Sequence, residues 1–343
     1  MKVSFFQNER EPYYSVHTLF NIIRSHLPSY IEQKVIHFSL NGLSKLKKIQ
    51  NILAVTKAGK GDINHIVDDI NYATFFLKKE QTILTIHDVM RLNVSSGIRK
   101  SFFIWFWLKL PISRAGMITT VSTTTKNEIL KYINCPSEKI RVIHNCISSA
   151  FVPVKKEFNK EKPVLLQVGV RDNKNFHRVI MAIEGIPCKL KIIGEPLKDT
   201  LDLLKKCNID FDYKSAISQA EVVQHYVECD VLVFASLYEG FGIPIIEANT
   251  VERVVVASDV LKEAANDAAC YVDPLDVASI RAGILKVIDD DNYRESLIEA
   301  GRRNRERFNA QHISNQYAQL YREIYLKNTD KKMLHSHPSV VLN

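Results

Sequence analysis

Short β-branched apolar runs alternate with helical patterns along almost the whole of this chain of 343 residues. The run 3–6, for example, is followed by a stretch, 15–27, whose apolar residues recur at the spacing of a helix. Strands that alternate with helices form parallel sheets covered by helices on both faces, so the chain is predicted to be an α/β protein. The other predicted strands are 35–38, 63–67, 83–86, 117–121, 140–143, 164–168, 190–193, 231–234, 254–257 and 270–272.

The chain is predicted to fold as two domains, because the strand pattern stops between residues 145 and 162 and then begins again. Its length is also typical of two domains. We predict a first domain over 1–147 and a second over 148–309. A long helical pattern, 291–326, comes near the end of the chain, and the tail, 328–343, has no periodicity and is expected to be loose.

The net charge of +8 is distributed unevenly between these domains. Residues 1–150 carry 20 basic and 10 acidic side chains, whereas residues 151–343 carry 26 and 28. This asymmetry indicates that the first domain faces an anionic partner. Hydrophobic residues make up 46% of the chain and charged residues 24%, a balance that excludes a largely disordered protein.

The remaining composition favours a cytoplasmic protein. The sequence contains no run of 18 apolar residues, which is the length needed to span a membrane. Charged residues follow Phe6, so the first residues lack the apolar stretch of a secretory signal. The cysteines are scattered singly, as in a reducing compartment, and form neither a disulfide pattern nor a zinc motif. They are Cys135, Cys146, Cys188, Cys207, Cys229 and Cys270.

The most informative stretch is the segment 236–248, which reads SLYEGFGIPIIEA and follows the buried run 231–234. Gly240 and Gly242 would let the backbone approach a ligand closely, and Pro244 is typical of the first turn of a helix. The positive end of that helix favours an anionic group. Because open parallel sheets bind ligands beyond the carboxyl ends of their strands, the segment predicts an anion-binding loop.

Two carboxylates, Glu239 before the loop and Glu247 in the first turn of the predicted helix, bracket this segment. They could accept hydrogen bonds from neutral hydroxyls on either side of a bound molecule, with a sugar at one end and a ribose at the other. Alternatively, Glu247 only complements the helix dipole and Glu239 is a surface residue of the loop. The spacing alone leaves both interpretations open.

The segment resembles the Glu-x7-Glu signature of retaining, nucleotide-sugar-dependent glycosyltransferases of family 4, which have the GT-B fold. The resemblance extends to the TIHD sequence at 85–88, to Val168-Gly169 with Lys174-Asn175, which resembles a phosphate-binding loop, and to 257–259 and 271–274. It implies two facing Rossmann-like domains with parallel sheets. It also implies a C-terminal helix, about 310–327, that crosses back to the first domain.

The resemblance implies roles for individual residues of the donor site. In the family, the first glutamate contacts hydroxyls of the transferred sugar and the second binds the nucleotide ribose, roles that fall to Glu239 and Glu247. A lysine binds the diphosphate, and Lys174 matches it. Arg171 is the nearest substitute for a family arginine, although it could equally be a solvated loop residue. The other donor-binding candidates are Gly169, Gly240, Phe241, Gly242 and Ile243.

Further candidates lie in the first domain. By the resemblance, His87 would help to position the sugar, and it completes the predicted catalytic set with Glu239 and Lys174. Asp88 and Tyr13 are candidates on the acceptor side. The simpler alternatives are a packed histidine and an aspartate that caps the next segment. We name no nucleophile, because retaining members use no obvious carboxylate for this purpose.

No cofactor and no metal are expected, since the nucleotide sugar, linked to GDP or UDP, is a substrate. Asp210-Phe211-Asp212 matches the Asp-x-Asp pattern with which another glycosyltransferase architecture holds a metal. Patterns of three residues arise easily by chance, and this one falls on a short edge strand that we predict for the second domain in addition to the apolar runs above. We therefore predict no metal site there.

The segment 99–110, RKSFFIWFWLKL, holds both tryptophans and is apolar from Phe102 to Leu108. One interpretation is a fully buried helix of the first domain. The other is an interfacial helix whose aromatic rings enter the lipid headgroup layer while lysines and arginines meet anionic lipid. The helix pattern leaves both open. The positive charge of the domain favours contact with an anionic membrane surface, at the inner face of the plasma membrane.

Together these features predict a glycosyltransferase that moves a mannose-like or glucose-like hexose from a nucleotide sugar to a glycan or lipid-linked glycan, with retention. Its expected place is the biosynthesis of surface polysaccharide such as lipopolysaccharide. Nucleic acid is not an expected partner, because glutamates line the site. The alternatives are a non-catalytic subunit that binds a nucleotide sugar and another GT-B enzyme, such as a sugar-nucleotide epimerase.

Overall fold

The protein consists of two compact units, each built around one parallel sheet. The first unit comprises residues 1–144 and 310–343, and the second comprises residues 145–309. The predicted α/β fold with two Rossmann-like domains is confirmed. The computed structural model describes residues 1–8, 16–38, 50, 53, 57, 60–90 and 97–336.

The sheet of the first unit has six parallel strands within the described residues. They are β1 (Lys2–Asn8), β2 (Glu32–Phe38), β3 (Ile63–Ile66), β4 (Thr82–Ile86), β5 (Met117–Thr120) and β6 (Ile140–Val142). Their order across the sheet is β2-β1-β3-β4-β5-β6. Every residue of β3 and β4 is buried, as expected for central strands of a parallel sheet whose two faces are covered.

The sheet of the second unit is also six-stranded and parallel throughout its described strands. Its strands are β7 (Val164–Val168), β8 (Lys189–Ile193), β9 (Asp210–Lys214), β10 (Val231–Phe234), β11 (Val254–Ser258) and β12 (Cys270–Val272). The order β12-β11-β10-β7-β8-β9 places β7 and β10 at the centre. Both strands of this central pair consist mainly of Val, Leu and Phe, the composition that fits a strand buried on two faces.

Several helices bury an apolar stripe, and Ser122, Ser218, Asp276 and Asp290 cap the amino ends of four of them through side-chain hydrogen bonds. In α5, for example, Phe176, Val179, Ile180 and Ile183 are buried at helical spacing. The helices are α1 (Val16–Ser25), α2 (Gly97–Phe103), α3 (Leu110–Arg114), α4 (Thr123–Tyr132), α5 (Phe176–Ile183), α6 (Lys198–Lys206), α7 (Gln219–Glu228), α8 (Ile243–Thr250), α9 (Lys262–Ala265), α10 (Val277–Asp289), α11 (Asp291–Glu306) and α12 (Ala310–Ser336). Turns of 3₁₀ helix span Asn71–Phe76, Lys79–Gln81, Ser137–Lys139, Asp172–Lys174 and Asp259–Leu261. Among the described residues, no helix combines the length and the apolar character needed to cross a membrane.

The last helix, α12, belongs to the first unit, where it contacts α1 and β3. Ser314 donates a hydrogen bond to the carbonyl of Ile23 in α1 (2.9 Å). The helix continues to Ser336, so the expectation of a loose tail from residue 328 is wrong for residues 328–336. The side chain of Asn328 donates to the carbonyl of Glu80 (3.0 Å), a contact with a distant part of the chain that periodicity cannot show. Residues 337–343 lie outside the described part of the chain.

The aromatic segment of the first unit is not a fully buried helix, so that interpretation is wrong. A π-helical turn, Ile104–Lys109, connects α2 to α3. Leu108 is buried in the core, whereas Phe102, Trp105 and Phe106 are exposed. The segment is apolar on all sides, but the core of the unit covers only one of them.

A buried histidine connects β3 with α12. The Nδ1 atom of His65 lies 2.8 Å from the Tyr321 hydroxyl, and its Nε2 atom lies 2.7 Å from Oγ1 of Thr85 in β4. Burial lowers the pKa of His65 to about 3, and the nearby His87 contributes to this shift. The imidazole is therefore neutral, with one nitrogen as donor and the other as acceptor. These contacts fasten the last helix to the centre of the first sheet.

Replacing Tyr321 by Phe should lower the free energy of unfolding by about 1–2 kcal/mol, because one nitrogen of the buried His65 ring loses its partner. Urea denaturation followed by circular dichroism measures this change. Tyr30→Phe is the matched control, since the Tyr30 side chain is 57% exposed and its loss should cost less than about 0.5 kcal/mol. Equal stability of the two variants would contradict this role of the Tyr321 hydroxyl.

Candidate functional site

The predicted donor-site loops follow the two central strands of the second sheet. β7 and β10 pair directly, with Leu166 opposite Leu232. β7 leads into the loop that carries Lys174, and β10 leads into the loop that carries Glu239. Because parallel strands end at the same edge of a sheet, pairing of these strands brings the two loops together.

Asn173 joins the two loops through its backbone and its side chain. Its carbonyl accepts a hydrogen bond from the amide of Leu237 (2.8 Å), and its Nδ2 atom donates to the carbonyl of Tyr238 (3.0 Å). The same Nδ2 atom lies 3.4 Å from Oε1 of Glu239. The backbone of the Glu239 loop is therefore held by a residue of the Lys174 loop.

Lys174 and Glu239 form an ion pair. The Nζ atom of Lys174 lies 2.7 Å from Oε1 of Glu239 and 4.5 Å from the centroid of the Phe234 ring. Both side chains are largely buried, with 17% and 13% of their surface exposed. Each charge compensates the other where water is scarce. The predicted phosphate-binding cation and the predicted sugar-binding carboxylate are thus in direct contact.

Gly169 makes room for the lysine side chain. Its φ angle of +83° is one that L side chains rarely adopt, and a Cβ atom there would lie 2.9 Å from Cε of Lys174. Its amide donates to the carbonyl of Ile193 in β8 (2.8 Å). The glycine therefore lets Lys174 lie across the end of β7 and reach Glu239.

The backbone of the predicted anion-binding loop turns sharply at Gly242, immediately before α8. Gly242 has a φ angle of +116°, and a Cβ atom there would lie 2.9 Å from the side chain of Leu261. The Phe241 ring is buried edge-on against Phe308, with 5.5 Å between the ring centroids. The amino end of α8 carries partial positive charge. The predicted backbone contacts Gly240, Phe241, Gly242 and Ile243 lie at this end.

Glu247 is in a different environment from Glu239. It is the fifth residue of α8, so its predicted place in the first turn is wrong, and it is too far along the helix to complement the dipole. Burial raises the pKa of Glu247 to about 7, and a hydrogen bond with Tyr226, which favours the ionised carboxylate, offsets part of this effect. A carboxyl of this kind changes charge near neutral pH. Its role at a ribose stays a prediction.

Arg171 is exposed in the loop after β7. Its carbonyl accepts a hydrogen bond from the amide of Lys174 (2.8 Å), which closes the turn that carries the lysine. The described contacts of Arg171 therefore concern its backbone. A role of its guanidinium at a phosphate stays a prediction.

The first-domain candidates follow β4. The Nε2 atom of His87 lies 3.0 Å from the carbonyl of Val67, and because a carbonyl only accepts, Nε2 carries the proton. Asp88 is exposed, and its carboxylate accepts a hydrogen bond from the amide of Met90 (2.9 Å). This contact is the capping interaction of the simpler interpretation. Tyr13 lies outside the described residues.

The Asp-x-Asp pattern lies on β9, the edge strand, as predicted. Asp210 pairs with Lys162 and Asp212 with Lys189, each at 2.8 Å. The neighbouring Lys162 lowers the pKa of Asp210. In the described ranges, no group of three or more His, Cys, Asp or Glu side chains is arranged to hold a metal ion.

Asn175, which the sequence places only in the motif that resembles a phosphate-binding loop, connects three loops of the second unit. Its Nδ2 atom donates to the carbonyls of Ala235 (3.0 Å) and Pro274 (2.6 Å), which follow β10 and β12. Its backbone is left-handed, with φ of 57°, and it precedes α5. Asn tolerates a left-handed backbone better than most residues, but its distant partners leave no trace in the local pattern.

Replacing Asn175 by Ala should lower the free energy of unfolding, because two buried carbonyls lose a donor and Ala tolerates the left-handed backbone less well. Asn208→Ala is the matched control, since Asn208 also has a positive φ (51°) but an exposed side chain. We expect Asn175→Ala to cost about 2 kcal/mol more than the control in urea denaturation. Equal losses would assign the effect to the backbone alone.

Replacing Glu247 by Gln should stabilise the protein at alkaline pH. The folded-state pKa of about 7 lies above the ordinary glutamate value of 4.5, so the wild type loses stability as pH rises from 4.5 through 7. The uncharged Gln escapes this loss, which predicts a gain of about 3 kcal/mol at pH 8.5 and little change at pH 5. Urea denaturation at both pH values, with exposed Glu295→Gln as control, measures it. A gain that is independent of pH would contradict the assignment.

Comparison with known proteins places the two units in one enzyme class. Residues 149–304 match the family described as glycosyl transferases group 1, and residues 11–151 match the family described as glycosyltransferase family 4. The two matches together cover most of the chain.

Relatives and solved structures agree with these matches. The chain is 31% identical over 225 residues to the O-antigen chain mannosyltransferase RfbU of Salmonella typhimurium, a match that covers 62% of this chain and 62% of RfbU. It is 26% identical over 271 residues to the O-antigen chain mannosyltransferase B of Escherichia coli, and this match covers 71% of this chain and 70% of that enzyme. The crystal structure of Anabaena HepE in complex with UDP and glucose matches with a TM-score of 0.77 at 14% identity, over 94% of this chain and all of HepE. The chain therefore belongs to the glycosyltransferases of the family 4 type and has the GT-B fold.

Proposed function

We propose that the protein is a glycosyltransferase that transfers a hexose from a nucleotide sugar to a glycan or lipid-linked glycan, with retention of the anomeric configuration. The observation that carries this proposal is the Lys174–Glu239 ion pair at the adjoining ends of β7 and β10. It puts one cation and one carboxylate beside the amino end of α8, an arrangement that suits a phosphate next to a sugar.

In the proposed reaction, Lys174 stabilises the leaving nucleoside diphosphate. The bond between the anomeric carbon and the phosphate oxygen breaks, and negative charge grows on that oxygen. The acceptor hydroxyl attacks the anomeric carbon from the same face, and its proton passes to the leaving phosphate oxygen. A cation held in a largely buried place stabilises such charge more strongly than one in water. Glu239 would accept hydrogen bonds from hydroxyls of the hexose, so donor binding would replace part of the contact between the two side chains.

The other donor-binding residues are assigned to the remaining parts of the donor. The amides of Phe241, Gly242 and Ile243 would contact the sugar and its phosphate at the amino end of α8. Glu247 would bind the ribose, and a carboxyl with a pKa of about 7 can serve either as donor or as acceptor there. Arg171 would supply a second cation for the diphosphate. No cofactor or metal is proposed.

The first unit would carry the acceptor. The proton of His87 is committed to the carbonyl of Val67, which fixes the orientation of its ring at the end of β4. We assign His87 to positioning of the hexose, and Asp88 and Tyr13 to the acceptor side.

The relatives support mannose as the hexose to test first and a surface polysaccharide as the product. RfbU and the Escherichia coli enzyme are both named as O-antigen chain mannosyltransferases. HepE was solved with UDP and glucose, so a uridine donor belongs in the test beside the guanosine donor that the sequence leaves open.

The donor can be identified by thermal unfolding in the presence of GDP-mannose, UDP-glucose, GDP and UDP. A ligand at 100 times its Kd stabilises the folded state by about 2.7 kcal/mol, so the true donor should raise the melting temperature measurably. Release of nucleoside diphosphate in the presence of glycan acceptors then measures transfer, and NMR of the product gives its anomeric configuration.

Lys174→Ala and Glu239→Gln should each lower kcat/KM for transfer by about 100-fold or more, because each removes a contact that stabilises the transition state. Lys205→Ala, which removes an exposed lysine from α6 of the same unit, should leave the rate unchanged. Circular dichroism of all three variants checks that they fold. Wild-type rates in both site variants would contradict the proposed site.

The same assays separate the alternatives. Donor-induced stabilisation without any release of nucleoside diphosphate, even with partner proteins added, would indicate a subunit that only binds a nucleotide sugar. Conversion of the donor to a stereoisomer without an acceptor would indicate an epimerase.

A further inference from the structure

The helical segment 97–114 of the first unit has one side buried and one side exposed, and both are apolar. On the buried side, Phe103 and Ile104 pack against the core, and Leu108 and Ile112 are part of it. This side explains why the segment is held in place. It does not explain the aromatic residues on the other side.

The exposed side carries four large hydrophobic residues, which we call the aromatic face. Ile98, Phe102, Trp105 and Phe106 are 90%, 62%, 49% and 37% exposed. Their spacing of four, seven and eight residues puts them on one side of the helical segment. The Phe102 and Phe106 rings stack with 5.7 Å between their centroids and 5° between their planes. Continuous apolar patches of this kind are uncommon on soluble proteins and mark interaction sites.

The charge around the aromatic face is exclusively positive in sequence. From Val89 to Asn127 the chain contains no Asp or Glu, whereas the segment itself contains Arg99, Lys100, Lys109 and Arg114. The side chains of Lys109 and Arg114 are exposed. An apolar surface with cations at its margin is complementary to the boundary between the acyl chains and the phosphates of an anionic bilayer.

We propose that the aromatic face docks on an anionic lipid bilayer, with the rings in the headgroup layer and Lys109 and Arg114 on lipid phosphates. Tryptophan and phenylalanine are suited to this layer because their rings are large and flat and displace interfacial water. Docking of this kind needs no donor and no acceptor, so it is independent of the proposed transfer reaction.

The buried side of the same segment connects this docking with the candidate acceptor residue Asp88. Phe103, Trp107 and Leu108 line a depression beyond the end of β4, together with Asn71 and Asp88. The side chain of Asn71 donates to the carbonyl of Trp107 (2.9 Å), which fixes the segment against the depression. If the proposed function holds, an acceptor whose lipid part stays in the bilayer could present its sugar near Asp88.

Flotation with lipid vesicles tests the proposal on the full chain. We expect binding to vesicles of phosphatidylcholine with 30% phosphatidylglycerol at low salt, weaker binding in 500 mM NaCl, and little binding to phosphatidylcholine alone. Phe102→Ser/Trp105→Ser should lower the partition coefficient at least about tenfold. Lys109→Gln/Arg114→Gln should lower it about 25-fold at low salt, since each basic residue near the surface contributes about fivefold. Tyr30→Ser, at an exposed aromatic residue of the same unit, should bind like wild type.

Tryptophan fluorescence gives a second, independent reading, because both tryptophans of the chain lie in this segment. Trp105 is exposed and should shift its emission to the blue and be quenched by brominated lipid. In Trp105→Phe, which keeps an aromatic ring on the face, vesicle binding should persist while the shift is lost.

Three results would overturn the proposal. They are no binding of the wild type to the anionic vesicles at low salt, undiminished binding of Phe102→Ser/Trp105→Ser, and self-association that this variant abolishes while vesicles are not bound. The last result would assign the aromatic face to contact between copies of the chain.

Discussion

The pairing of β7 with β10 is the contact on which the candidate site depends. The two strands are separated in the chain by two other strands, yet they lie side by side at the centre of the second sheet. Their loops consequently meet at one edge, where Asn173 and Asn175 bind the backbone that follows β10. Without this pairing, Lys174 and Glu239 would have no reason to be near one another.

The site holds two glutamates under opposite electrostatic conditions. Glu239 lies against the ammonium of Lys174. Glu247 is buried on α8, and its pKa rises to about 7 because burial disfavours its charged form. The resemblance assigns the two residues to the two ends of one donor. The structure adds that one of them is already paired with a cation, while the other changes its charge in the range in which proteins work.

The first unit exposes an apolar surface and keeps a separate buried core that stabilises its fold. Its sheet and α12 are joined through the neutral, buried His65. The helical segment 97–114 uses Leu108 and Ile112 for the core and leaves Phe102 and Trp105 outside. Because core contacts and the hydrogen bond from Asn71 hold the segment on its buried side, the exposed rings can be changed without unfolding the unit. This separation makes the aromatic face accessible to mutation.

Local pattern determined much of this protein. Apolar runs identified every described strand of both sheets except β9, and the run from Glu239 to Glu247 identified the family and the edge of the sheet where a ligand would bind. Tertiary structure alone decided which residues touch. Lys174 and Glu239 are 65 residues apart, and Asn328 near the end of α12 contacts Glu80, which is 248 residues away in the chain. The exposure of Phe102 depends on which side of its segment the core covers. The physical reason is that the spacing of apolar residues reports the secondary structure of one segment at a time. The contacts of a side chain depend on the order of the strands, and that order is set by the packing of the whole sheet.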